Sequence, residues 1–375
     1  MTEHISQQFL QYFAERKQKG LYRSRQKLDT LGLGLDFSCN DYLSLATDPR
    51  VRKAYCDGFA EYPVGSGGSM VLSGYHAAHQ TLERAFAEAL EVDDCLLFSS
   101  GYVANLSVTR LLTEFGMHVV IDKAVHASIY DGLGLARANY SRFLHNNLAS
   151  LAQTLIACPH SAVILTEGTF SMSGLHAPLE AMLSLVRQRQ AHLIVDEAHS
   201  FGVIGSQGLG AVVAAGLNQD EVPLRIIPFG KALSGSGAIV AGKAEWIDAL
   251  LQATRQPIYS TAISPAYAYG LTQVLGLVRQ AEDRRAHLQE LIQYFRELTQ
   301  TTELRWRDST SPIQQLQLGC PFLAQSYAEK LQAKQIRCFP IRQPTVPKAE
   351  TGLRIIINYH HSFADIRRLF EVLQS

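Results

Sequence analysis

The sequence lacks paired cysteines, an excess of charge of either sign and a long apolar run at its N-terminus. Its six cysteines are scattered without a C-x-x-C pair, which argues against a zinc site or a disulfide framework and suits a reducing cytosol. Basic and acidic residues number 34 each, so no global field would draw the chain to nucleic acid or to an anionic membrane. Charges run throughout residues 1–20, which excludes a signal peptide or a membrane span there. We expect a cytoplasmic protein.

Alternating strand and helix patterns fill most of the chain. With 375 residues, 47% of them hydrophobic and 18% charged, it can bury a substantial core and divide into a large and a smaller domain. Two helical patterns, HQTLERAFAEALE and PLEAMLSLVRQRQ, lie between apolar runs. The runs that predict buried strands are CLLFSS, HVVID, AVILTEG, HLIVDEAH, LRIIPFG and GAIVAG. This alternation predicts an α/β architecture with a largely parallel sheet.

The last third of the chain changes character. It contains the helical pattern AEDRRAHLQELIQYFREL, a strand pattern around PIQQLQL and a final amphipathic helix SFADIRRLFEVLQ. At the other end, Ile5, Phe9 and Phe13 recur at helical spacing. We predict an N-terminal helical segment and arm (1–45), a large α/β domain (46–275) and a small α+β C-terminal domain (276–375).

Polar residues end several of the predicted strands. Because ligands bind at the carboxyl ends of strands in such sheets, these residues are candidates for a functional site. They are Ser99, Ser100 and Gly101 after one strand, Thr166, Glu167, Gly168 and Ser171 after a second, Asp196 and His199 after a third, and Lys231 after a fourth.

Several simpler interpretations of these residues fit poorly. A phosphate-binding P-loop would need glycine where Arg225 stands, and Ala232 offers no hydroxyl for magnesium. The glycines of PVGSGGSMVLSGY and VIGSQGLGAV lack the strand-to-helix context of a dinucleotide site, which favours turns. Asp196 and His199 have no third ligand at a recognisable spacing, so no metal site is predicted. His126 or His199 taken alone would more often be structural.

The combination of strand-end residues suits a pyridoxal 5'-phosphate cofactor. A lysine such as Lys231, held at a strand end beside small residues, can lose its proton and form a Schiff base with an aldehyde. An aspartate such as Asp196 at a neighbouring strand end can keep a pyridine nitrogen protonated, which makes the ring an electron sink. Amides of the turn SSGYVAN, which opens a helix, can receive the phosphate.

Ordered motifs extend this interpretation over nearly the whole chain. They are FSCNDYLSLA, GSGGSMVLSGY, SSGYVAN, HASIYDG, TEGTFSMSG, VDEAHSFGVIG, FGKALSGSGA, YSTAISPA and RQPTVP. Through them the chain resembles the α-oxoamine synthases, acyltransferases among the fold-type I pyridoxal-phosphate enzymes. The resemblance implies an aspartate-aminotransferase-like fold, with a large, mostly parallel sheet domain and a smaller α+β C-terminal domain.

Within that family the chain is most similar to members of biotin biosynthesis that condense L-alanine with a pimeloyl thioester of coenzyme A or acyl carrier protein. This finer resemblance rests chiefly on GSGGSMVLSGY and IRQPTVPKAETGLRI. A sister synthase, such as a 2-amino-3-ketobutyrate ligase or a synthase of a long-chain signalling aminoketone, stays an alternative. A catalytically silent relative acting as a binding subunit is a third, against which the retained set of polar residues counts.

The resemblance implies roles around the cofactor ring. Lys231 would carry the cofactor and then remove and return the substrate Cα proton. Asp196 would pair with the ring nitrogen, while His199 and Ser171 would hydrogen-bond the ring hydroxyl. His126 would stack on the ring face. We therefore predict Lys231, His126, Asp196 and His199 as the catalytic residues.

The resemblance also implies contacts at the phosphate and across a homodimer interface. Gly101 and Tyr102 would anchor the phosphate through their amides. The segment YSTAISPA, with Tyr259, Ser260 and Thr261, looks like the one that a partner subunit donates to the site in this family. Local core packing is the alternative interpretation of Tyr259 and its neighbours.

Four residues are predicted to contact substrate. Arg354, in GLRI, looks like the arginine that binds the amino-acid carboxylate in a bidentate manner, with Asn40 beside it. A surface ion pair is the alternative for Arg354. Arg23 and Thr345 are assigned to the acyl chain or its thioester carrier.

The chain departs from the family pattern at three places. Pro228 stands three residues before Lys231, where relatives have a threonine whose hydroxyl contacts the phosphate; Ser234 or Ser260 could compensate. Ser173 replaces the acidic residue of S-M-D-G, and we assign it to turn formation. The stretch IIINYHHS after Arg354 predicts a different substrate pocket there.

Overall fold

A computed structural model describes residues 2–25, 27, 34–158 and 162–375. Within these ranges the chain forms α-helices and β-strands in alternation. The helices are α1 (Thr2–Gln18), α2 (Pro49–Glu61), α3 (Ala77–Leu90), α4 (Gly101–Glu114), α5 (Ala127–Ala136), α6 (Leu148–Ile156), α7 (Leu179–Gln188), α8 (Ala211–Ala214), α9 (Ala244–Ala253), α10 (Gln256–Tyr259), α11 (Pro265–Arg279), α12 (Glu282–Thr299), α13 (Pro321–Ala333) and α14 (Phe363–Gln374). The strands are β1 (Leu35–Asp36), β2 (Asp94–Phe98), β3 (His118–Asp122), β4 (Tyr140–Phe143), β5 (Ala162–Glu167), β6 (His192–Asp196), β7 (Leu224–Pro228), β8 (Ala238–Gly242), β9 (Ile313–Gln317), β10 (Ile336–Arg337), β11 (Phe339–Ile341) and β12 (Gly352–Ile356).

A seven-stranded sheet in the order β2-β8-β7-β6-β5-β3-β4 forms the centre of the fold. Only β8 runs antiparallel to its neighbours. Strand β5 is buried at every position, as expected for a strand covered by helices on both faces. Because β5, β6 and β7 are parallel and adjacent, Glu167 and Asp196, which end β5 and β6, and Lys231, which follows β7, meet at one edge of the sheet.

Each of the six apolar runs forms a strand of this sheet, so the predicted α/β architecture is confirmed. The sequence interpretation missed β4, whose residues YSRF alternate between exposed and half-buried until Phe143. Strand β4 lies at the sheet edge and pairs only with β3, which explains why it lacks the continuous apolar pattern of the inner strands.

A second, three-stranded sheet in the order β11-β12-β9 follows in the last third of the chain. It is antiparallel, and the predicted strand around PIQQLQL is β9. Helices α12 and α14 match the predicted helical patterns and pack against each other. The short parallel pair of β1 with β10 links the N-terminal arm to this region.

Helix α1 confirms the predicted helical spacing of its apolar residues but does not bury them. Ile5, Phe9 and Phe13 are all exposed in the chain, as are Leu10 and Tyr12. No helix within the described ranges is both long and apolar enough to cross a bilayer.

Candidate active site

A cavity of about 400 Å³ opens at the sheet edge where β5, β6 and β7 end. The N-terminal ends of α4 and α5 close it from the side. Among the residues that line this cavity are six predicted from the sequence, namely Gly101, Tyr102, His126, Asp196, His199 and Lys231. The fold thus brings together side chains that are up to 130 positions apart in the sequence.

Lys231 lies on the connection between β7 and β8, and backbone hydrogen bonds join the two ends of this connection. The Phe229 N–H donates to the Gly237 carbonyl (2.9 Å), and the Gly235 N–H donates to the Phe229 carbonyl (2.8 Å). Burial lowers the pKa of the Lys231 ammonium; the Asp196 carboxylate opposes this shift and the Arg354 cation adds to it. A lowered pKa increases the fraction of neutral amine, which is the nucleophilic and basic form of lysine.

A chain of hydrogen bonds leads from Asp196 to His126. The side-chain amide of Asn105 donates to Asp196 Oδ2 (2.8 Å) and to Ser128 Oγ (3.1 Å). Ser128 Oγ lies 2.7 Å from His126 Nδ1, which also accepts the Ser128 N–H at 3.3 Å. Because Nδ1 is an acceptor, the proton of the neutral His126 ring lies on Nε2. Burial lowers the pKa of His126, although Asp196 opposes this shift, and so favours the neutral ring.

Asp196 itself is fully buried at the end of β6. Burial raises the pKa of its carboxyl, whereas the hydrogen bond from Asn105 and the backbone N–H of Ala198 lower it. A cationic partner in the cavity would offset the burial, because an opposite charge favours the ionised carboxylate. Asp196 is therefore suited to bind a protonated ring nitrogen.

His199 is held by Tyr42. The Tyr42 hydroxyl lies 2.6 Å from His199 Nδ1 and also donates to Asn40 Oδ1 at 3.3 Å, and burial raises the pKa of Tyr42. Burial, reinforced by the Arg354 cation, places the pKa of His199 well below its usual range. The neutral ring can donate to or accept from a group in the cavity through Nε2, because Nδ1 is engaged by Tyr42.

Glu167 is a second buried carboxyl in the cavity wall. It lies opposite Asp196 on the adjacent parallel strand, and its Oε2 accepts the Ser171 N–H at 3.1 Å. Its Oε1 is buried and has no partner among the described residues. Burial raises the pKa of Glu167 well above its usual range, and the Asp196 charge adds to this shift. This shift favours the protonated form of Glu167.

Arg354 approaches the same centre from β12. Its Nε donates to the Ser171 carbonyl (2.6 Å) and its Nη2 donates to Asn40 Oδ1 (2.9 Å), while its charge lowers the pKa values of His199 and Lys231. The structure therefore places Arg354 and Asn40 side by side, as predicted from the sequence, next to the cavity. The Tyr42 hydroxyl also interacts with the guanidinium.

The opposite end of the cavity is formed by the start of α4. Ser100 caps this helix by accepting the Val103 N–H (3.2 Å), whereas the N–H groups of Gly101 and Tyr102 have no partner in the described chain. A Cβ atom at position 101 would lie 2.5 Å from Cγ of Pro228, so only glycine fits there. Free amides at a helix N-terminus bind anions such as a phosphate.

This donor set fits pyridoxal phosphate from one end of the cavity to the other. The cavity lining contains the start of α4, whose amides suit a phosphate, together with Lys231 and the buried acids Asp196 and Glu167. The buried oxygen atoms Asn105 Oδ1 and Glu167 Oε1 lack partners within the described ranges, as expected of residues that contact a bound group.

Besides Asn40 and Arg354, five predicted site residues lie outside the lining of this cavity. Ser171 contacts Glu167 and Arg354 through its backbone but is not part of the cavity lining, and Ser260 and Thr261 are exposed to solvent. Arg23 Nη2 donates to Thr345 Oγ1 at 3.0 Å on the surface. The fold therefore joins Arg23 to Thr345 across the sequence but does not bring them into the cavity lining.

One compensating role suggested for the Pro228 position is wrong. Ser234 Oγ donates to Asp41 Oδ1 at 2.7 Å, so this hydroxyl is already committed, and Ser234 does not line the cavity.

The other two departures are structural in this chain. Ser173 Oγ accepts the Leu175 N–H (3.3 Å) within a tight turn, in agreement with the predicted turn role, and lies 3.3 Å from His145 Nε2. His361 is buried, stacks on Phe37 at 4.1 Å and bonds to the Asp36 carbonyl. Neither His360 nor His361 lines this cavity, and the predicted change of substrate pocket at this stretch stays a prediction.

The sequence interpretation missed three residues of the site, namely Tyr42, Asn105 and Ser128. It named Glu167 but did not predict that its pKa is raised. Tyr42 and Asn105 lie within the motifs FSCNDYLSLA and SSGYVAN, and Glu167 ends a predicted strand. The sequence therefore shows these residues, but it does not show their partners. Tyr42 and His199 are 157 positions apart, Asn105 and Asp196 are 91 apart, and Asn105 and Ser128 are 23 apart. Such contacts come from the tertiary fold.

Comparisons with known proteins agree with this geometry. The family model for class I and II aminotransferases matches residues 34–373. An 8-amino-7-oxononanoate synthase from Marinobacter nauticus is 37% identical over 375 aligned residues, which cover 97% of this chain and 95% of the relative.

Two solved structures share the fold. An 8-amino-7-oxononanoate synthase from Francisella tularensis has a TM-score of 0.80 at 31% identity and covers 91% of this chain and 97% of its own. A serine palmitoyltransferase from S. paucimobilis, solved with a bound PLP-myriocin aldimine, has a TM-score of 0.89 at 24% identity and covers 98% of this chain and 96% of its own. The predicted fold-type I architecture is therefore confirmed, and the chain belongs to the class I and II aminotransferase family of pyridoxal-phosphate enzymes.

Proposed function

We propose that this protein condenses L-alanine with a pimeloyl thioester to form 8-amino-7-oxononanoate, with release of carbon dioxide and the free thiol. The reaction belongs to biotin biosynthesis, and the names of the relatives support it. The single observation that carries the proposal is the convergence on one cavity of Lys231, Asp196, His199 and His126. A binding subunit without catalysis would have no use for a lysine with a lowered pKa beside a buried aspartate.

Pyridoxal phosphate, when bound, supplies an electron sink that stabilises negative charge at the amino-acid Cα. Asp196 would hold the ring nitrogen protonated, and its own position is set by Asn105. His199, held neutral by burial and oriented by Tyr42, would donate from Nε2 to the ring hydroxyl oxygen. His126, fixed through Ser128, would lie on the ring face without adding a positive charge.

Lys231 would hold the cofactor and then act as the base. Its Nζ accepts the proton from the alanine Cα and returns it after carbon dioxide has left. The lowered pKa of Lys231 supports this assignment, because an ammonium that stayed protonated could not accept a proton. The loop closed by Phe229 and Gly237 would keep Nζ in place between the two transfers.

Arg354 would bind the carboxylate of alanine, with Asn40 orienting the guanidinium. Burial strengthens a charge-assisted contact of this kind, because water does not screen it. Arg23 and Thr345, which contact each other at 3.0 Å, would receive the acyl chain or its carrier as it enters.

We further propose a homodimer in which Ser260 and Thr261 complete the cofactor site of the partner. In support, Tyr259 is 72% exposed and Leu72 is 83% exposed, which leaves a large apolar surface uncovered. The two segments that carry these residues are joined, because the Ala262 N–H donates to the Gly68 carbonyl at 2.9 Å. They would form one face suited to a second copy of the chain.

In this proposal the domain of residues 46–275 holds the cofactor, and the domain of residues 276–375 brings Arg354 to the substrate. The N-terminal segment 1–45 contributes Asn40 and Arg23. We place the enzyme in the cytoplasm, where its six free cysteines remain reduced.

Two measurements test the function. The purified protein is mixed with pyridoxal phosphate and its visible spectrum is followed during titrations with alanine, glycine and serine. Pimeloyl-CoA or pimeloyl carrier protein is then added, and the product is identified by mass spectrometry.

A spectral response to alanine together with 8-amino-7-oxononanoate as the product would support the proposal. A preferred response to glycine or serine would indicate a sister synthase and overturn the substrate assignment. A folded protein that showed no cofactor band would overturn the enzymatic function itself.

A further inference from the structure

The cofactor cavity has little positive charge at its phosphate end. Lys231 is the only lysine or arginine among the described residues that line the cavity, and it is reserved for the cofactor aldehyde. A phosphate bound at the start of α4 must therefore be held by neutral donors together with the helix dipole. Each such donor contributes a larger share of the binding than it would beside an arginine.

The strand end that precedes Lys231 supplies none of these donors. Pro228 has neither an N–H nor a hydroxyl, and its ring packs on Gly101 so closely that a Cβ there would lie 2.5 Å from Pro228 Cγ. This side of the phosphate end is therefore apolar. The two free amides of α4, at Gly101 and Tyr102, can serve only part of a phosphate group.

Two serines lie where further donors are needed. The antiparallel register of β2 with β8 pairs Phe98 with Ala238, so the residues just after β2 lie beside those just before β8. Ser99 and Ser236 stand in these two segments, and both line the cavity. The Ser236 N–H donates to the Tyr267 hydroxyl at 2.6 Å, which fixes the backbone that carries the serine.

The hydroxyls of Ser99 and Ser236 are free for a ligand, unlike those of their neighbours. Ser100 Oγ is engaged as the cap of α4, and Ser234 Oγ is engaged by Asp41. The described part of the chain offers no hydrogen-bond partner to either Ser99 Oγ or Ser236 Oγ.

We propose that Ser99 and Ser236 bind the cofactor phosphate through their hydroxyls, beside the amides of Gly101 and Tyr102, and so replace the donor that Pro228 cannot offer. This inference rests on the proposed function. It concerns the affinity for the cofactor and not the chemistry that follows.

The test compares two ligands that differ only in the phosphate. Apoprotein is titrated with pyridoxal 5'-phosphate and separately with pyridoxal, and each dissociation constant is taken from the visible absorbance or from quenching of intrinsic fluorescence. The variants are Ser99→Ala, Ser236→Ala and the conservative Ser236→Thr. The control is Ser206→Ala, at an exposed serine outside the cavity.

Each alanine variant is expected to raise the Kd for pyridoxal 5'-phosphate about tenfold, the effect of losing one hydrogen bond to a charged group, and to leave the Kd for pyridoxal unchanged. Ser236→Thr keeps the hydroxyl and should retain most of the affinity. Pro228→Thr combined with Ser236→Ala should recover affinity, because it returns a hydroxyl to the apolar side.

An alanine variant that kept the wild-type ratio of the two dissociation constants would overturn the assignment of that serine. A loss of affinity equal for both ligands would also overturn it, since it would indicate a general disturbance of the cavity. In both cases a wild-type protein that binds pyridoxal 5'-phosphate leaves the proposed function intact. A folded wild-type protein that binds neither ligand would instead contradict the function.

Discussion

Asp196 and Glu197 are consecutive and both buried, yet Glu197 is surrounded by donors of the fold whereas Asp196 faces the cavity. Glu197 accepts from the amides of Ala211 and Val212 and from Arg225 at 3.0 Å, and the Ser200 hydroxyl also donates to it. Asp196 accepts from Asn105 and Ala198 and faces the cavity, and no cation among the described residues forms an ion pair with it.

The difference shows how one sequence motif can hold both a structural acid and a functional one. The donors around Glu197 satisfy its charge within the fold, and they tie the loop after β6 to β7 and α8. The donors around Asp196 position the carboxylate but leave it with a pKa raised by burial, so a cationic ligand is needed to stabilise its charge.

The largest effect is expected at Lys231, which lines the same cavity as Asp196. Replacing Lys231 by alanine removes the amine that carries the cofactor and moves the proton, so condensation should fall by about 10³-fold or more. The thermal stability should stay close to wild type, because Lys231 makes no ion pair in the described structure. Turnover by mass spectrometry and thermal unfolding check both parts. Lys123→Ala, at an exposed position, is the control, and turnover retained by Lys231→Ala would contradict the assigned role.

The two neighbouring acids provide the sharpest contrast. Glu197→Gln leaves the buried Arg225 without its charged partner and should lower the free energy of unfolding by about 3–5 kcal/mol. Asp196→Asn breaks no ion pair with a cation and should change stability little, while it lowers turnover by about 100-fold through loss of the charged ring partner. Denaturant unfolding measures the stability of the two variants, and steady-state kinetics measure their turnover. Equal losses of stability in both variants would contradict the assignment of Glu197 as the structural acid and Asp196 as the functional one.

Glu83 represents an intermediate case, a buried acid with two donors and no cation. It accepts from the Tyr75 hydroxyl and from the Leu97 N–H (3.1 Å), and burial raises its pKa to about 7 from 4.5. The folded state therefore holds a proton that the unfolded state releases, so stability falls as the pH rises from about 4.5 to 7 and stays reduced above it.

The expected cost of ionised Glu83 is about 3 kcal/mol at neutral to alkaline pH. In Glu83→Gln the pH dependence of unfolding over that window should flatten, whereas Glu88→Gln, at an exposed position of the same helix, should leave it unchanged. Urea unfolding across the pH range measures both. Identical pH profiles for wild type and Glu83→Gln would show that Glu83 does not titrate on unfolding.

The smallest effect is expected at Asn105, an uncharged residue that positions Asp196 through one hydrogen bond. Asn105→Ala removes the donor to Asp196 and should lower turnover about tenfold, the cost of one hydrogen bond to a charged group. The pKa of Asp196 should rise further, which would move the acidic limb of the pH–rate profile to higher pH. Asn139→Ala, at an exposed position, is the control. A uniform loss of rate with an unshifted profile would indicate only a structural role.

The sequence pattern predicted those parts of the fold in which burial is continuous. Strand β5 is buried along its whole length and apolar from Ala162 to Leu165, and its polar end at Thr166 and Glu167 marks one sheet edge. Strand β4 escaped prediction because an edge strand with exposed residues resembles a loop. The helical spacing of Ile5 and Phe9 predicted α1 but not that the helix leaves these residues exposed.

The candidate site was predictable where a residue acts through its position at a strand end. Asp196 and Lys231 are of this kind. Residues that act through a partner were not predictable, because Tyr42 finds His199 only after the chain has folded. The suggested role of Ser234 failed for the same reason, since its bond to Asp41 joins residues 193 positions apart.

The hairpin formed by β7 and β8 has a consequence for how the chain tolerates insertions. Lys231 lies on the connection between two antiparallel strands whose register pairs Leu224 with Gly242 and Pro228 with Ala238. A slip of one residue in either strand would exchange the side chains on its two faces, for example Ile226 and Ile227, which pack in two different core clusters. Single-residue insertions and deletions between positions 224 and 242 should therefore be eliminated under selection as strongly as replacements of the lysine itself.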